Sequence, residues 1–340
     1  MSGERQMHSF TDLYRLISGF RAEDREASAA CAAREPKLTK PAGSLGRLEE
    51  ITLHLSAWQD VHPPRLDALQ ACVFAGNHGV AALGVSAFPA AVTEQMVINF
   101  QNGGAAINQL CRTFGLDLSV DDIELDRPTA DFTQGPAMSE DDCVDAFAVG
   151  YQAVEEGSDL VILGEMGIGN TTSAAALCLA LFGGKAEDWT GIGTGIGDEQ
   201  LKRKIEVVKK GVEVNRTDDP LTLLAALGGR ELAAIVGAVV SARLKRIPVI
   251  LDGYVCTAAA AVLHAIRKDA LDHCLVGHVS AEPGHRRLLD RLEKRPLLDL
   301  NMRLGEGSGA AAAIGLVKAA VACHIGMATF GEAGVSNKAH

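Results

Sequence analysis

Four short apolar segments, each running into a glycine-rich polar turn, constrain the fold more than any other feature of the chain. They span residues 69–75, 159–163, 247–251 and 274–276. Helical segments lie between them, predicted at 139–156, 173–182, 199–215 and 230–245. Apolar strands that alternate with helices indicate a parallel α/β sheet. Ligands bind beyond the carboxyl ends of the strands in such sheets, so we expect the four turns to form one site.

The amino-acid composition limits which kinds of molecule the protein is expected to bind. Hydrophobic residues make up 47% of the 340 residues, aromatic residues only 4%, and there are 36 glycines. Such a composition suits an α/β enzyme with closely packed helices and backbone-lined binding loops. The formal net charge of -11 argues against a nucleic-acid partner, which is normally met by a basic face. A small phosphate ligand stays compatible, because it needs only local N–H groups and one or two cations.

Eight cysteines are scattered through the chain without a Cys-x-x-Cys pair. Most have apolar neighbours, so we expect buried free thiols rather than disulfides or a zinc site. The polar N-terminus has no signal-peptide core. The apolar stretch after Gly309 is interrupted by Lys318 and His324, which favours a buried helix over a membrane span. These features together predict a cytoplasmic protein.

A single acid, Glu306, stands in the glycine turn 305–309, directly before that apolar helix. Backbone N–H groups at such a turn can hold an anion, aided by the helix dipole. The dipole would lower the pKa of Glu306, whereas burial would raise it. The sequence leaves open which effect prevails.

A second glycine turn, 164–172, follows the strand 159–163. Its backbone N–H groups could bind a phosphate or a carboxylate. Glu165 could act on a ligand or bind backbone N–H groups, and Asn170 could equally be a helix cap. The nearby GTGIGD segment (193–198) lacks the dinucleotide-binding fingerprint, and no Walker A pattern occurs.

Two further turns are predicted to be helix starts. In 37–49, Ser44 is predicted as an N-cap, although the segment could instead lie over a ligand. Near residue 217, Asp219 is predicted as a cap, with Pro220 at the first helical position.

Taken together, eight turn motifs resemble one family, the nicotinate-nucleotide:dimethylbenzimidazole phosphoribosyltransferases. In order they are KPAGSLGRLE (40–49), FAGNHGVAALGVSAFP (74–89), GEMGIGNTTSAAAL (164–177), GTGIGD (193–198), LDGY (251–254), GHVSAEPGH (277–285), PLLDLNMRLGEGSGAA (296–311) and GEAGVSNK (331–338). The resemblance runs from about residue 37 to the C-terminus.

The resemblance implies a Rossmann-like parallel sheet flanked by helices, with a smaller helical domain built from segments near both termini. The expected division is 1–65 for an N-terminal helical segment of the small domain, 66–300 for the large domain and 301–340 for the catalytic turn and C-terminal helix. It further implies a homodimer. Separately from the resemblance, we expect no cofactor, no metal and no membrane partner. The implied reaction would move phosphoribose from nicotinate mononucleotide to 5,6-dimethylbenzimidazole, with inversion at the anomeric carbon, in cobalamin lower-ligand synthesis.

Residue roles carry over from the same resemblance. Glu306 matches the catalytic base and Glu165 its neighbouring acid, which would stabilise positive charge or accept a second proton. Lys204 matches a phosphate-binding lysine, although the basic run around it would otherwise indicate a solvated helix face. The residues expected near phosphate, ribose or nicotinate are Gly167, Gly169, Asn170, Thr171, Lys204, Asp252, Gly253, Ser280 and Ala281.

The acceptor pocket should be apolar with few polar groups. Its expected residues are Ser86, Phe88, Gln95, Met302 and Leu304. Phe88 could stack on the planar acceptor or be a core residue. His78, His278 and His285 lie on different turns, so we expect capping or orienting roles rather than metal binding.

The chemistry is compatible with these residues. The donor releases a neutral pyridine nitrogen, so no Mg²⁺ is needed to neutralise a leaving group. The acceptor must lose an N–H proton, which a carboxylate can accept. Two alternatives stay open: a sister transferase that uses another base or a phenol, and a non-catalytic nucleotide-binding protein.

Overall fold

The computed structural model describes residues 7–336 and contains a five-stranded parallel sheet in the order β2-β1-β3-β4-β5. Its strands are β1 (Leu69–Ala75), β2 (Asp117–Asp122), β3 (Leu160–Met166), β4 (Val249–Leu251) and β5 (Cys274–Val276). All four strand pairs are parallel, so their carboxyl ends lie at one edge. The predicted α/β class is confirmed.

Helices cover both faces of this sheet. They are α1 (Phe10–Ser18), α2 (Arg25–Arg34), α3 (Arg47–Gln59), α4 (Ala91–Gln101), α5 (Ala106–Phe114), α6 (Glu140–Ala153), α7 (Asn170–Phe182), α8 (Ala186–Trp189), α9 (Asp198–Val214), α10 (Pro220–Leu227), α11 (Arg230–Lys245), α12 (Tyr254–Ile266), α13 (Pro283–Arg291), α14 (Ser308–Gly326) and α15 (Phe330–Ala333).

The strand side chains divide between two cores because successive residues of a strand point to opposite faces. In β1, Cys72 and Phe74 enter one core, while Ala71 and Val73 enter the other. The first core is filled mainly from α6, α7, α10, α11 and α12. The second is filled mainly from α3, α5 and α14. Both faces are covered, so the central strands are continuous apolar runs.

The sequence prediction missed β2. Its sequence, DLSVDD, contains three aspartates, and its two end residues are exposed. Within residues 7–336, β2 pairs on one side only, with β1, so it is an edge strand. A half-exposed edge strand does not need the apolar run by which the other strands were recognised.

One helix start was predicted wrongly and one correctly. Helix α3 begins at Arg47 with Gly46, not Ser44, at its N-cap. At α10 the Asp219 side chain accepts the Thr222 N–H at 2.7 Å and Pro220 is the first helical residue, as predicted.

The long helix α14 is apolar and long enough to cross a membrane by length and composition. Its inner side, however, packs on the sheet through Ala310, Ile314 and Val317, all fully buried in the second core. This packing is that of a core helix and agrees with the predicted buried helix.

Replacing Gly150 in α6 by Ala is expected to destabilise the fold. A Cβ atom at this position would lie 1.7 Å from the backbone oxygen of Ala234 in α11, and backbone cannot move aside as a side chain can. Overpacking of this kind costs about 1–3 kcal/mol or more, measurable as a lower free energy of unfolding in urea. Gly135→Ala is the matched control, because a Cβ there would meet no described atom within 4 Å. Equal stability of the two variants would contradict the close packing of α6 on α11.

Candidate functional site

The turn that follows β3 places an acid beside a helix N-terminus. Glu165 is the penultimate residue of β3, and Gly169 (φ +100°) serves as the N-cap of α7. Asn170 is therefore the first residue of the helix rather than its cap. Its side-chain amide donates a short hydrogen bond to Glu165 Oε2. Gly167 packs so closely that an added Cβ would lie 2.7 Å from the Gly76 carbonyl.

The turn that carries Glu306 packs against the end of β3. Gly305, Glu306 and Gly307 all have positive φ, at +84°, +63° and +80°. A left-handed conformation is uncommon for a residue with a side chain, and such strain is often found at functional sites. The Glu306 N–H donates to the Glu165 backbone oxygen at 3.2 Å, which brings the two acids together.

The Glu306 side chain is buried, and its Oε2 has no hydrogen-bond partner among the described residues. Burial, and secondarily the nearby Asp252, raise the pKa of Glu306 to about 7. The raised pKa agrees with the effect of burial rather than with that of the helix dipole. A carboxylate of this pKa at neutral pH is well matched to accept a proton.

Asp252 occupies the N-terminus of α14. Its two carboxylate oxygens accept the N–H groups of Ala310 at 2.8 Å and Gly307 at 3.2 Å, and the side chain is almost fully buried. The expectation that these N–H groups hold a ligand anion is wrong, because an internal carboxylate already satisfies them. Asp252, expected near phosphate or ribose, instead anchors the turn that carries Glu306.

Both glutamates have raised pKa values. Burial, and then the charge of Asp252, raise the pKa of Glu165 well above its usual value. Burial therefore favours the protonated form of both acids. The expected role of Glu165 in stabilising positive charge requires an ionised carboxylate, which this environment opposes.

Lys204 does not lie on a solvated face, although its neighbours in α9 are exposed. Its ammonium group is buried and donates to Thr171 Oγ1 at 2.8 Å and to the Gly191 carbonyl at 3.0 Å. Burial lowers its pKa to about 8, opposed by Glu282. A cation is thus held at the start of α7 by neutral hydrogen-bond acceptors.

Two adjoining hollows lie at the carboxyl edge of the sheet, and neither is lined by Glu306 or Asp252, although Gly305 lines the first. The first is lined by Glu165, Gly167, Asn170, Thr171, Gly253, Ser280 and Leu304, among others. The second is lined by Ser86, Gly167, Gly169, Asn170, Thr171 and Lys204, among others. The α7 turn forms the wall common to both.

The sequence and the fold match one known family. A family model described as "Phosphoribosyltransferase" matches residues 20–335. The nicotinate-nucleotide–dimethylbenzimidazole phosphoribosyltransferase of Sinorhizobium medicae is 56% identical over 331 residues, which cover 97% of this chain and 98% of that protein. The protein of the same name from a Ruegeria species is 56% identical over 329 residues, again covering 97% and 98%. The chain belongs to this phosphoribosyltransferase family.

A solved structure extends the comparison. The crystal structure of the nicotinate-nucleotide–dimethylbenzimidazole phosphoribosyltransferase of Thermus thermophilus superposes with a TM-score of 0.85 at 40% identity, covering 93% of this chain and 100% of that one. The phosphoribosyltransferase family inferred from the eight motifs is therefore confirmed. The last motif extends to Lys338, and its final two residues lie outside the described part of the chain.

Several further residues expected at the site do not line either hollow. Phe88 is 48% exposed, which excludes the alternative that it is a core residue. Gln95 is exposed on α4, and Met302 is half-buried, with its carbonyl accepting the Ala281 N–H at 2.9 Å. That bond also occupies the Ala281 N–H group expected near phosphate. Of the acceptor candidates, only Ser86 and Leu304 line the hollows.

The three histidines contact protein groups in this member of the phosphoribosyltransferase family. His78 Nε2 lies 2.6 Å from the buried carboxylate of Glu231. His285 Nδ1 accepts the Ser280 N–H at 2.8 Å, and burial lowers the pKa of His285 to about 3, so its ring is neutral. His278 Nε2 lies 3.6 Å from Asp252. These contacts agree with the orienting roles expected of them.

Sequence reasoning missed the loop interactions around Gly193. Glu282 Oε1 accepts the Gly193 N–H at 2.7 Å, and Arg303 donates to the Gly193 carbonyl at 3.0 Å. All three residues line the first hollow. Gly193, Glu282 and Arg303 all lie in quoted motifs, but a motif does not reveal which of its residues bond across turns.

Proposed function

We propose that this protein transfers the 5-phosphoribosyl group of nicotinate mononucleotide to 5,6-dimethylbenzimidazole in cobalamin lower-ligand synthesis. The products are α-ribazole 5′-phosphate and nicotinate, with inversion at the anomeric carbon. The observation that carries the proposal is the buried carboxylate of Glu306, whose Oε2 has no partner within residues 7–336 and whose pKa is about 7. Membership of the phosphoribosyltransferase family supports the choice of substrates.

In the proposed reaction, each reacting group of the donor, the acceptor and the protein has one role. The bare ring nitrogen of the acceptor gives its electron pair to the anomeric carbon. The bond from that carbon to the pyridinium nitrogen breaks, and its electron pair stays on nicotinate. The N–H proton of the acceptor passes to Glu306 Oε2. Attack opposite the departing pyridine gives inversion, and transfer of the proton keeps the product from remaining cationic.

Glu165 takes a supporting role. Glu306 is assigned as the base because its Oε2 has no partner among the described residues, whereas Glu165 Oε2 accepts the Asn170 side-chain amide. Glu165 also holds the 305–307 turn through its backbone oxygen. Burial raises the pKa of Glu165, which opposes a charge-stabilising role for its carboxylate.

The phosphate group of the donor is placed at the start of α7. Lys204 supplies a cation there, and the helix N-terminus supplies N–H groups in the wall common to both hollows. Ser280 and Gly253, which line the first hollow, are assigned to the ribose and nicotinate side. The phenolic, purine and other acceptors of a sister transferase would differ only in how they fit beside Leu304 and Ser86.

Lys204→Met is expected to raise KM and Kd for nicotinate mononucleotide by about 10–150-fold, because a charge-assisted hydrogen bond contributes about 1.5–3 kcal/mol. Methionine fills the space of the aliphatic stem, so kcat at saturating donor should change less. Steady-state kinetics and calorimetric titration of the donor measure the two quantities. Lys202→Met, on the exposed face of the same helix, is the control. An unchanged KM for the donor would remove Lys204 from the phosphate site.

The pH profile should show Glu306 as the base. Because the base must be ionised, kcat/KM is expected to fall about tenfold per pH unit below about pH 7 and to level off above it. Measuring initial rates of nicotinate release between about pH 5 and 8.5 tests this. A profile that is flat through about pH 7 would contradict the assignment.

The reaction itself is tested by incubating the protein with nicotinate mononucleotide and a panel of bases and phenols, and detecting released nicotinate. NMR of the nucleotide product shows whether the anomeric carbon is inverted. Turnover with another acceptor but not with dimethylbenzimidazole would favour a sister transferase. Donor binding without turnover of any acceptor would favour a non-catalytic nucleotide-binding protein.

We also propose the domain division 1–65, 66–300 and 301–340, homodimeric assembly and a cytoplasmic location. Packing of α2 on α3 and of α3 on α14 supports a small helical domain from both chain ends. Helix α1 is the exception, because its residues Leu13, Leu16 and Ile17 pack in the first core, which belongs to the large domain. The eight free thiols, seven of them buried, fit a reducing compartment.

A further inference from the structure

A thiol and two imidazoles from three separate parts of the chain meet beyond the catalytic turn. Cys31 lies on α2, His62 follows α3, and His324 lies near the C-terminal end of α14. Their ligand atoms all lie within 4.8 Å of one another. His324 is 16 residues after the first residue of α14, so the cluster lies about 24 Å along the helix from the Glu306 end.

We propose that Cys31 Sγ, His62 Nε2 and His324 Nε2 bind one zinc ion that joins the N-terminal helices to the end of α14. The function proposed above does not use this site.

The spacing of the atoms suits zinc. Zinc–sulfur and zinc–nitrogen bonds of about 2.3 and 2.0–2.1 Å at a tetrahedral angle place sulfur about 3.6 Å from nitrogen and the two nitrogens about 3.3 Å apart. Cys31 Sγ lies 3.8 Å from His324 Nε2, and the Nε2 atoms of His62 and His324 are 2.9 Å apart. These two distances lie within a few tenths of an ångström of those values, and the third, between Cys31 Sγ and His62 Nε2, is at most 4.8 Å.

In the hydrogen-bond network of the cluster, two donor groups face one acceptor nitrogen, His324 Nε2. His324 Nδ1 lies 2.6 Å from Glu35 Oε1 and, as a donor to it, leaves a single lone pair on Nε2. Within the cluster, the Cys31 thiol and a His62 N–H then compete for that lone pair, and outside it the thiol has the Ser56 hydroxyl as a further hydrogen-bond partner. A metal ion removes the conflict, because the thiol loses its proton and His62 carries its remaining proton on Nδ1.

The partners around the cluster are those of a metal-bound histidine. A carboxylate that accepts the second ring N–H fixes the tautomer and raises the basicity of the ligand nitrogen. Glu35 takes this position and is itself held by Lys40, 2.7 Å from its other oxygen. Cys31 and His324 are buried, whereas His62 is partly exposed and lines a surface hollow with Val321 and Ile325. That hollow gives the ion a route of entry and leaves the fourth coordination position to water.

Zinc is the ion that this donor set favours in a reducing compartment. Thiolate and imidazole ligands select zinc or copper(I) over magnesium, calcium and manganese, which prefer oxygen. The rival arrangement has no metal: a protonated His324 that pairs with Glu35 and donates to His62. The two differ in metal stoichiometry and in thiolate character, so one experiment separates them.

The experiment treats the full chain with a chelator, removes the chelator, and titrates zinc by calorimetry and cobalt(II) by absorption. We expect one ion per chain, a thiolate-to-cobalt charge-transfer band and a higher Tm with zinc. Cys31→Ser and His62→Gln should each bind zinc at least about 100-fold more weakly, and Glu35→Gln about 10–100-fold more weakly. Cys323→Ser and His264→Gln, which alter residues outside the cluster, should bind as the unaltered chain does.

His62→Gln keeps the test decisive if the Cys31 variant fails to fold, because His62 is partly exposed. Absence of stoichiometric zinc binding in the unaltered chain would overturn the proposal and leave the protonated His324 arrangement. The proposal would also be overturned if Cys31→Ser and His62→Gln bound zinc as tightly as the unaltered chain does. A cobalt spectrum without the thiolate band would overturn it too.

Discussion

Glu306→Gln is expected to lower kcat by about 10²–10⁴-fold while nicotinate mononucleotide still binds, since general-base catalysis contributes about that factor. Glutamine keeps the size of the side chain and cannot accept the proton. The backbone of the turn is held by Asp252 and by Glu165, not by the Glu306 side chain, so its positive-φ conformation should persist. Loss of kcat without loss of donor affinity is the signature of an interaction made in the transition state.

Rates of nicotinate release and calorimetric titration of the donor measure the two effects separately. Glu199→Gln is the matched control, because Glu199 is an exposed acid in the first turn of α9. Glu165→Gln alone should cost less than the double variant with Glu306→Gln. Turnover of the Glu306 variant at a near wild-type rate would refute the base assignment.

The same substitution is expected to stabilise the protein above neutral pH. The pKa of Glu306 is raised from an ordinary value of 4.5 to about 7 in the folded state, so the folded protein binds a proton more tightly than the unfolded chain. Stability is therefore lost as pH rises from about 4.5 to 7, and the full cost of the buried charge is present above that range. This difference in pKa corresponds to about 3 kcal/mol, which is the gain expected for Glu306→Gln near pH 8.

Below about pH 4 the carboxyl is largely neutral in both states, because that pH lies under the ordinary value of 4.5, so the stability difference between variant and unaltered chain should nearly vanish. Urea unfolding at about pH 4 and pH 8 gives both values. Glu199→Gln should show no such pH-dependent gain. An equal effect of Glu306→Gln at the two pH values would mean that the charge is not destabilised by burial.

The sequence was most informative where one structural requirement, such as burial or a positive φ, acts on consecutive residues. Strand β1 is recognisable because both of its faces are buried, which makes the whole segment 69–75 apolar. The turn 305–309 is recognisable because glycines supply positive φ on either side of one acid. Both could be predicted from a single stretch of chain.

Features that depend on distant partners could not be predicted in the same way. The N-terminus of α14 looked free because the carboxylate that fills it, Asp252, lies on another turn. Lys204 looked solvated because its neighbours are charged and exposed, although its own side chain points to Thr171. The cluster of Cys31, His62 and His324 forms no recognisable sequence motif, because its residues come from three separate segments of the chain.

The polar edge strand β2 has a consequence for how copies of the chain can associate. An unpaired strand edge is a template for joining another sheet, and charged side chains are a common defence against it. With Asp117, Asp121 and Asp122 along β2, a second copy placed edge to edge would bring like charges together. Open-ended growth through this edge is thereby discouraged, and we do not expect the proposed homodimer to form by pairing of one β2 with another.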